Sequence, residues 1–199
     1  MELNLERLQA VLLPEAVSSE FVNEDGAKPE TPLTPASVLF PIVLRDEGFT
    51  VLLTQRTAHL KDHPGQISFP GGRAEASDVS PVHTALRETQ EEIGLAAQHI
   101  SPLGFLPEYR TGTGYRVTPV VATVTPPFAT QADPFEVAEI FEVPLSFLMN
   151  PANHQRHSLH VRGAMRHFHA MPYGSRFIWG ATAGMIFSLY QRLVTGLPQ

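Results

Sequence analysis

At 199 residues the chain is long enough for one domain with a real core, and an apolar fraction of 43% excludes disorder as the default. The absence of cysteine excludes disulfides and thiolate zinc sites, and suggests a reducing, cytoplasmic setting. A net charge of −6 argues against a general nucleic-acid binder, whereas a small anionic substrate stays open wherever metal or a few arginines offset the charge.

The opening MELNLERLQAVLLPEA is acidic early and has no basic stretch before its apolar run. Leu3, Leu5, Leu8, Leu12 and Leu13 predict a short amphipathic helix that Pro14 ends or closely follows, not a signal peptide. Residues 23–36 form a polar, proline-rich connector, so 1–35 reads as helix plus connector and 36–199 as the main domain. SVLFPIVLR (37–45) and FTVLLTQR (49–56) predict a hairpin about Asp46-Glu47-Gly48. From Thr57 to Asp78 the composition predicts mostly loop. A helix is expected from Pro81, well suited to a first helical position, to Ile93, with Gly94 as its stop.

ISPLGFLPEY and YRVTPVVATV then predict strands flanking the turn Arg110–Gly114, and a short helix is expected over Leu145–Met149. Residues 157–162 and 165–170 suggest a second hairpin about Gly163, and a last helix is expected over 178–195. The longest uncharged apolar stretch, Phe177–Tyr190, has fourteen residues, too few to span a bilayer, so no membrane partner is expected. Strands interleaved with helices predict one mixed α/β domain.

Within the expected helix, RETQEEIGL places Glu88, Glu91 and Glu92 at i, i+3 and i+4, where like charges repel. Leu86 and Ile93 can face a core, with Ala85 and Thr89 on the adjoining edge, and Arg87 is spaced to pair with Glu91. A hard divalent cation such as Mg²⁺ or Mn²⁺ would relieve the crowding, and on such a ridge it could neutralise a diphosphate and acidify a bound water. The competing reading is a solvated acidic helix face. Gly71-Gly72 upstream would let backbone approach a ligand closely and offer a carbonyl to a metal.

The spacing G-x5-Asp78-x8-Arg87-Glu88-x2-Glu91-Glu92-x-Gly94-Leu95 from Gly72 resembles the Nudix box, G-x5-E-x7-R-E-U-x-E-E-x-G-U. It departs by one extra residue before Arg87, by Asp78 for Glu, and by Thr89 at an aliphatic position. Upstream, Leu52-Leu53-Thr54-Gln55-Arg56 through Gly65 to Phe69-Pro70-Gly71-Gly72 resembles the coenzyme A pyrophosphatase signature LLTxR[SA]x3Rx3Gx3FPGG, with Thr57 and Lys61 as its departures. Weaker similarity extends over most of the chain from about residue 36.

The resemblance implies a Nudix α/β/α sandwich, with a mixed β-sheet between helices and the box as loop–helix–loop. It implies Mg²⁺- or Mn²⁺-dependent hydrolysis of coenzyme A or a derivative to 3′,5′-ADP and 4′-phosphopantetheine. Glu88, Glu91 and Glu92 would be metal ligands, joined by the Gly72 carbonyl, with Arg87 orienting the glutamates. Glu136 is the outside candidate for the catalytic base, followed by Glu139; a surface role competes for both. Arg56 and Arg73 could clamp phosphate, against structural salt bridges. Lys61, His63 and Gln66 could meet the pantetheine arm or phosphates, against simple exposure. His157, His160, His167 and His169 lack a zinc-ligand spacing, and Trp179, placed in the last helix, reads as core or interface rather than a base-stacking platform. ADP-ribose, NADH or a dinucleoside polyphosphate is the alternative substrate, and a non-catalytic Nudix-fold binding protein a third reading. The oligomeric state, homodimer included, stays open.

Overall fold

A strand buried on one face alternates, whereas a strand covered on both reads as a continuous apolar run. Residues 37–44, SVLFPIVL, are of the second kind. The computed structural model describes residues 3–17, 21–22, 32–161 and 164–196. It begins with α1 (Leu5–Ala10), β1 (Phe21–Val22), β2 (Thr34–Arg45), β3 (Gly48–Arg56), β4 (Ile67–Ser68), β5 (Gly71–Arg73) and α2 (Pro81–Ile93). It continues with β6 (Ile100–Phe105), β7 (Glu108–Arg110), β8 (Tyr115–Val124), β9 (Val137–Pro144) and α3 (Leu145–Leu148). It closes with β10 (Gln155–Val161), β11 (Ala164–Tyr173), β12 (Arg176–Trp179) and α4 (Ala181–Thr195).

The run falls in β2, which pairs in parallel with β8 from Thr34↔Tyr115 to Val43↔Val124 and antiparallel with β3 from Ile42↔Val51 to Arg45↔Gly48. Among the described residues the main sheet has the order β1-β7-β8-β2-β3-β4, with β5 on β2, β6 on β8 and β9 on β3. Phe40, Ile42, Val51 and Leu53 face Leu8 of α1 and Met185, Ile186 and Leu189 of α4. Leu39, Val43 and Leu52 face Ala85 and Ile93 of α2. Helices therefore cover both faces of a mixed sheet, the expected α/β/α sandwich. A separate antiparallel sheet, β10-β11-β12, packs beside α4.

Pro41 sits in the middle of β2 without breaking it. Leu39 donates its N–H to the Pro70 carbonyl at 2.8 Å, and alternate residues point the same way, so Pro41 lacks its donor on that side. There β5 pairing has ended at Val38 and β3 pairing starts only at Ile42, so no ladder bond is lost.

Several expectations are corrected. The first helix is shorter, ending at Ala10, and Leu12 and Leu13 follow it as buried chain. The segment 57–78 is mostly loop, as expected, with only the short β4 and β5 inside it. Strand β9 was not expected at all. The last helix starts at Ala181, because Gly180, with φ 65°, turns the chain and leaves 176–179 extended. Trp179 is accordingly in a strand and 38% exposed, neither helical nor core. Residues 23–31 of the connector and the turn at Gly163 lie outside the described residues.

Candidate active site

Helix α2 is set at its start by Ser80, whose hydroxyl accepts the His83 N–H at 3.1 Å, and by Pro81; it ends at Gly94, with φ 65°. Thr89, fully buried, donates its hydroxyl to the Ala85 carbonyl at 2.7 Å, which satisfies its polar atom against the core. Leu86 is only partly buried, so Ala85 and Ile93 carry the buried face.

Arg87 gathers the loop and the glutamates. Its Nε and Nη2 bond the two Asp78 oxygens at 3.1 and 2.9 Å, and Nη2 also reaches the Arg73 carbonyl at 3.1 Å. Its Nη1 donates to Glu88 at 3.0 Å and to Glu91 at 2.9 Å. Asp78 also accepts the Glu75 N–H at 2.9 Å and lies beside His83 Nδ1 at 3.0 Å. The Arg87 guanidinium, then the Glu75 N–H, holds the Asp78 carboxyl well below the usual carboxylate range.

The three box glutamates differ in depth. Glu92 is 7% exposed and accepts the Gly71 N–H at 3.1 Å. Burial pushes its carboxyl up to about 8; Glu88 and Glu136 add to the shift, while the Gly71 N–H and Arg56 oppose it. Glu88 lies against Gly72 so closely that a Cβ there would stand 2.5 Å from its carboxyl carbon. Its pKa is raised by burial foremost, opposed by Arg87 and reinforced by Glu91 and Glu136. Glu91 is the outermost, its side chain 59% exposed. Gly71 has φ 151°, and a Cβ there would fall on the Ser37 carbonyl and 2.5 Å from the Val38 Cα, so the close approach requires glycine.

Glu136 reaches this cluster from another loop. Gln131 and Asp133 donate backbone N–H groups to the Ile93 and Glu92 carbonyls at 2.8 and 2.9 Å, pinning 131–136 to the end of α2. Thr57 then donates its N–H to the Glu136 carbonyl at 2.9 Å. Glu139 is turned elsewhere and is held by the Arg176 guanidinium. Arg56, at the end of β3, acts electrostatically on Glu92, and its Nε is buried without a hydrogen-bond partner among the described residues. Arg73, Lys61 and His63 are exposed nearby in sequence, and Gln66 is half-buried beside Gly180. One residue that sequence reasoning left out touches the site, His83 on Asp78, and another, Arg176, explains why Glu139 is turned away from it. His167 bonds the Ser158 hydroxyl at 2.8 Å and His169 stacks on Phe187 at 3.8 Å, so the histidines are not gathered as ligands.

Among the described residues no three His, Asp or Glu side chains already stand as a closed cation cage. The donor chemistry nevertheless fits a hard cation: several oxygens, a buried carboxylate under repulsion, and no sulfur. Mg²⁺ commonly binds through one or two carboxylates with water and substrate phosphates supplying the rest, which suits an open ridge better than a cage.

A mixed sheet between helices, with a glycine-lined loop laid on a glutamate-bearing helix, defines the Nudix fold. The NUDIX domain profile matches residues 34–161, and the chain belongs to the Nudix family, hydrolases acting on pyrophosphate bonds. It is 39% identical over 158 residues to the Nudix hydrolase NudL of Photorhabdus laumondii, covering 79% of this chain and 84% of that one. NudL of Yersinia enterocolitica matches at the same identity over 80% of its length, and both are described as uncharacterised. The MutT protein of Methanosarcina mazei Go1 shares the fold at a TM-score of 0.52 and 17% identity, covering 82% of this chain and 96% of that one. Nudix hydrolases generally use divalent cations such as Mg²⁺ or Mn²⁺.

Proposed function

We propose that the chain hydrolyses the diphosphate bond of coenzyme A or its derivatives, releasing 3′,5′-ADP and 4′-phosphopantetheine or its acylated form. The observation that carries this reading is how the run LLTQR…FPGG is built into the site. Its last glycines seat Glu88 and Glu92, and its Arg56 keeps a buried, unpartnered Nε beside Glu92. An unsatisfied guanidinium donor next to a diphosphate site suits a phosphate oxygen.

In this reading Glu88, Glu91 and Glu92, with the Gly72 carbonyl, hold Mg²⁺ or Mn²⁺. A bound cation of this kind supplies charge neutralisation for the diphosphate and a more acidic water. Arg87 fixes Glu88 and Glu91 and is itself fixed by Asp78. Glu136, brought to the cluster by the loop pinned on α2, accepts the proton of the attacking water. Arg56 and the exposed Arg73 meet phosphate, while Lys61, His63 and Gln66 line the approach for the rest of the substrate. A cytoplasmic setting belongs to the same reading.

The test is a product panel. With Mg²⁺ or Mn²⁺ present, coenzyme A species, ADP-ribose, NADH and dinucleoside polyphosphates are incubated and the products identified by mass. The expected result is 3′,5′-ADP from coenzyme A species; its absence from all of them sinks the coenzyme A assignment. Turnover in ¹⁸O-water then assigns the attacked phosphorus.

A further inference from the structure

His83, Arg87 and Glu91 stand at successive fourth positions of α2, one above another on the same side of the helix. Asp78, in the loop before the helix, lies against the first two of them. Its side chain is only 1% exposed, so its bonds can be set against the four lone-pair sites a carboxylate offers. Oδ1 accepts the Arg87 Nε–H at 3.1 Å and faces His83 Nδ1 at 3.0 Å. Oδ2 accepts from Arg87 Nη2 and from the Glu75 N–H, each at 2.9 Å. The Thr84 hydroxyl also lies beside Asp78 but donates to the Ser80 carbonyl, 3.4 Å away. His83 therefore fills the fourth site.

Arg87 is fully committed in the same way. Its five N–H groups go twice to Asp78, and once each to the Arg73 carbonyl, Glu88 and Glu91. One guanidinium is thus divided among three carboxylates. Among the described residues His83 is the other basic side chain on Asp78. An ionised carboxylate only accepts, and Arg87 holds Asp78 in that form, so the proton between ring and carboxylate belongs to Nδ1. The ring is half exposed yet tethered at both ends, because the His83 backbone N–H is accepted by the Ser80 hydroxyl at 3.1 Å. Without the ring, a buried carboxylate oxygen would lack a partner, which costs more than the bond itself. Asp78 could meet that deficit only by drawing on Arg87, whose Nη1 holds the glutamates.

We propose that His83 is a positioning residue for the box glutamates: by donating its Nδ1–H to Asp78 it keeps both Asp78 oxygens on Arg87, and so keeps Glu88 and Glu91 where a cation can use them. This rests on the reading of those glutamates as metal ligands. The first two tests use the full chain in EDTA and are independent of metal. Long-range ¹H–¹⁵N spectra, with His83 assigned by its loss in His83→Asn, should show a proton on Nδ1; a proton on Nε2 alone overturns the proposal. Hydrogen exchange at the Arg87 Nε–H should quicken about tenfold in His83→Ala, the value of one bond to a charged group. His83→Asn should restore the slow rate, because the Asn amide nitrogen falls where Nδ1 stands. His83→Gln, whose amide nitrogen falls where Nε2 stands, should not. An unchanged rate in His83→Ala, or Gln restoring it as well as Asn, overturns the proposal, since a merely structural role would not distinguish the two nitrogens.

Mn²⁺ alone is then added to the metal-free chain and the free ion followed by electron paramagnetic resonance. His83→Ala should bind it about tenfold more weakly than the unaltered chain, with His83→Asn restoring the affinity. Equal affinity in His83→Ala overturns the proposal. No uptake by the unaltered chain instead defeats the reading of the glutamates as ligands, and the exchange rates still decide what His83 does.

Discussion

Asp78 accepts both arms of the Arg87 fork although it is one methylene shorter and one residue further away than the box pattern places its glutamate. The Glu75 N–H, bonded to Asp78 at 2.9 Å, helps hold the short carboxylate where Arg87 can take both of its oxygens. Replacing Asp78 with Asn should leave the protein folded and lower kcat/KM by about 10- to 100-fold, the range for groups that orient ligands. Steady-state kinetics with circular dichroism check it. Glu92→Gln should lose more than that at saturating Mg²⁺; near wild-type turnover would remove Glu92 from the metal site. Glu136→Gln should lower kcat by about 10²–10⁴, as for a general base, whereas Glu139→Gln, already engaged by Arg176, should change it only a few-fold. The Arg87–Glu91 contact was legible as an i, i+4 pair. The Asp78 fork was not, because it depends on how a loop turns back.

Strand β9 shows why whole elements can go unread. Glu139, Phe141 and Val143 share a face, and a partly exposed charge in line with two buried residues breaks the alternation that identifies a strand. The charge is tolerated because Arg176, from the other sheet, pairs with Glu139 and lies 4.2 Å over the Phe141 ring. The small sheet is seated in part by His169, stacked on Phe187 of α4. Burial lowers the His169 pKa from its usual value, so folding favours the neutral ring. That contribution is complete above the unfolded value of about 6.5 and is lost as pH falls below it. Hydrogen exchange, corrected for intrinsic rates, should therefore quicken in β11 and α4 between pH 7.5 and 5, and His169→Phe should flatten the response.

Across the molecule, the layers follow from pattern: a doubly buried β2, an amphipathic α2 and an apolar α4. The docking of the N-terminal helix does not, since its partners are some 180 residues away. Arg192 donates to the Val11 carbonyl at 2.5 Å, Arg7 donates to the Leu193 carbonyl at 3.2 Å, and Leu8 is wholly buried between them and the sheet. Leu8→Ala should cost ~2–5 kcal/mol, and calorimetry should show Tm falling by roughly 2–4 °C for each kcal/mol. A Tm unmoved by that change would mean the helix contributes nothing to the core. The catalytic chemistry, on the opposite side of the sheet, should be spared at temperatures where the variant is folded.

Pro41 acts as a frame marker for the central sheet. A strand whose apolar run reads the same on both faces gives burial little power to distinguish one alignment from the next. Sliding β3 two residues along β2 would set a ladder carbonyl against a nitrogen that carries no hydrogen, so that alignment is refused. The same refusal leaves the stretch above Pro41 free for β5, and with it for the glycines on which Glu88 and Glu92 rest. A residue with no chemistry of its own thus limits how far β3 can advance toward the stretch of β2 that holds those glycines.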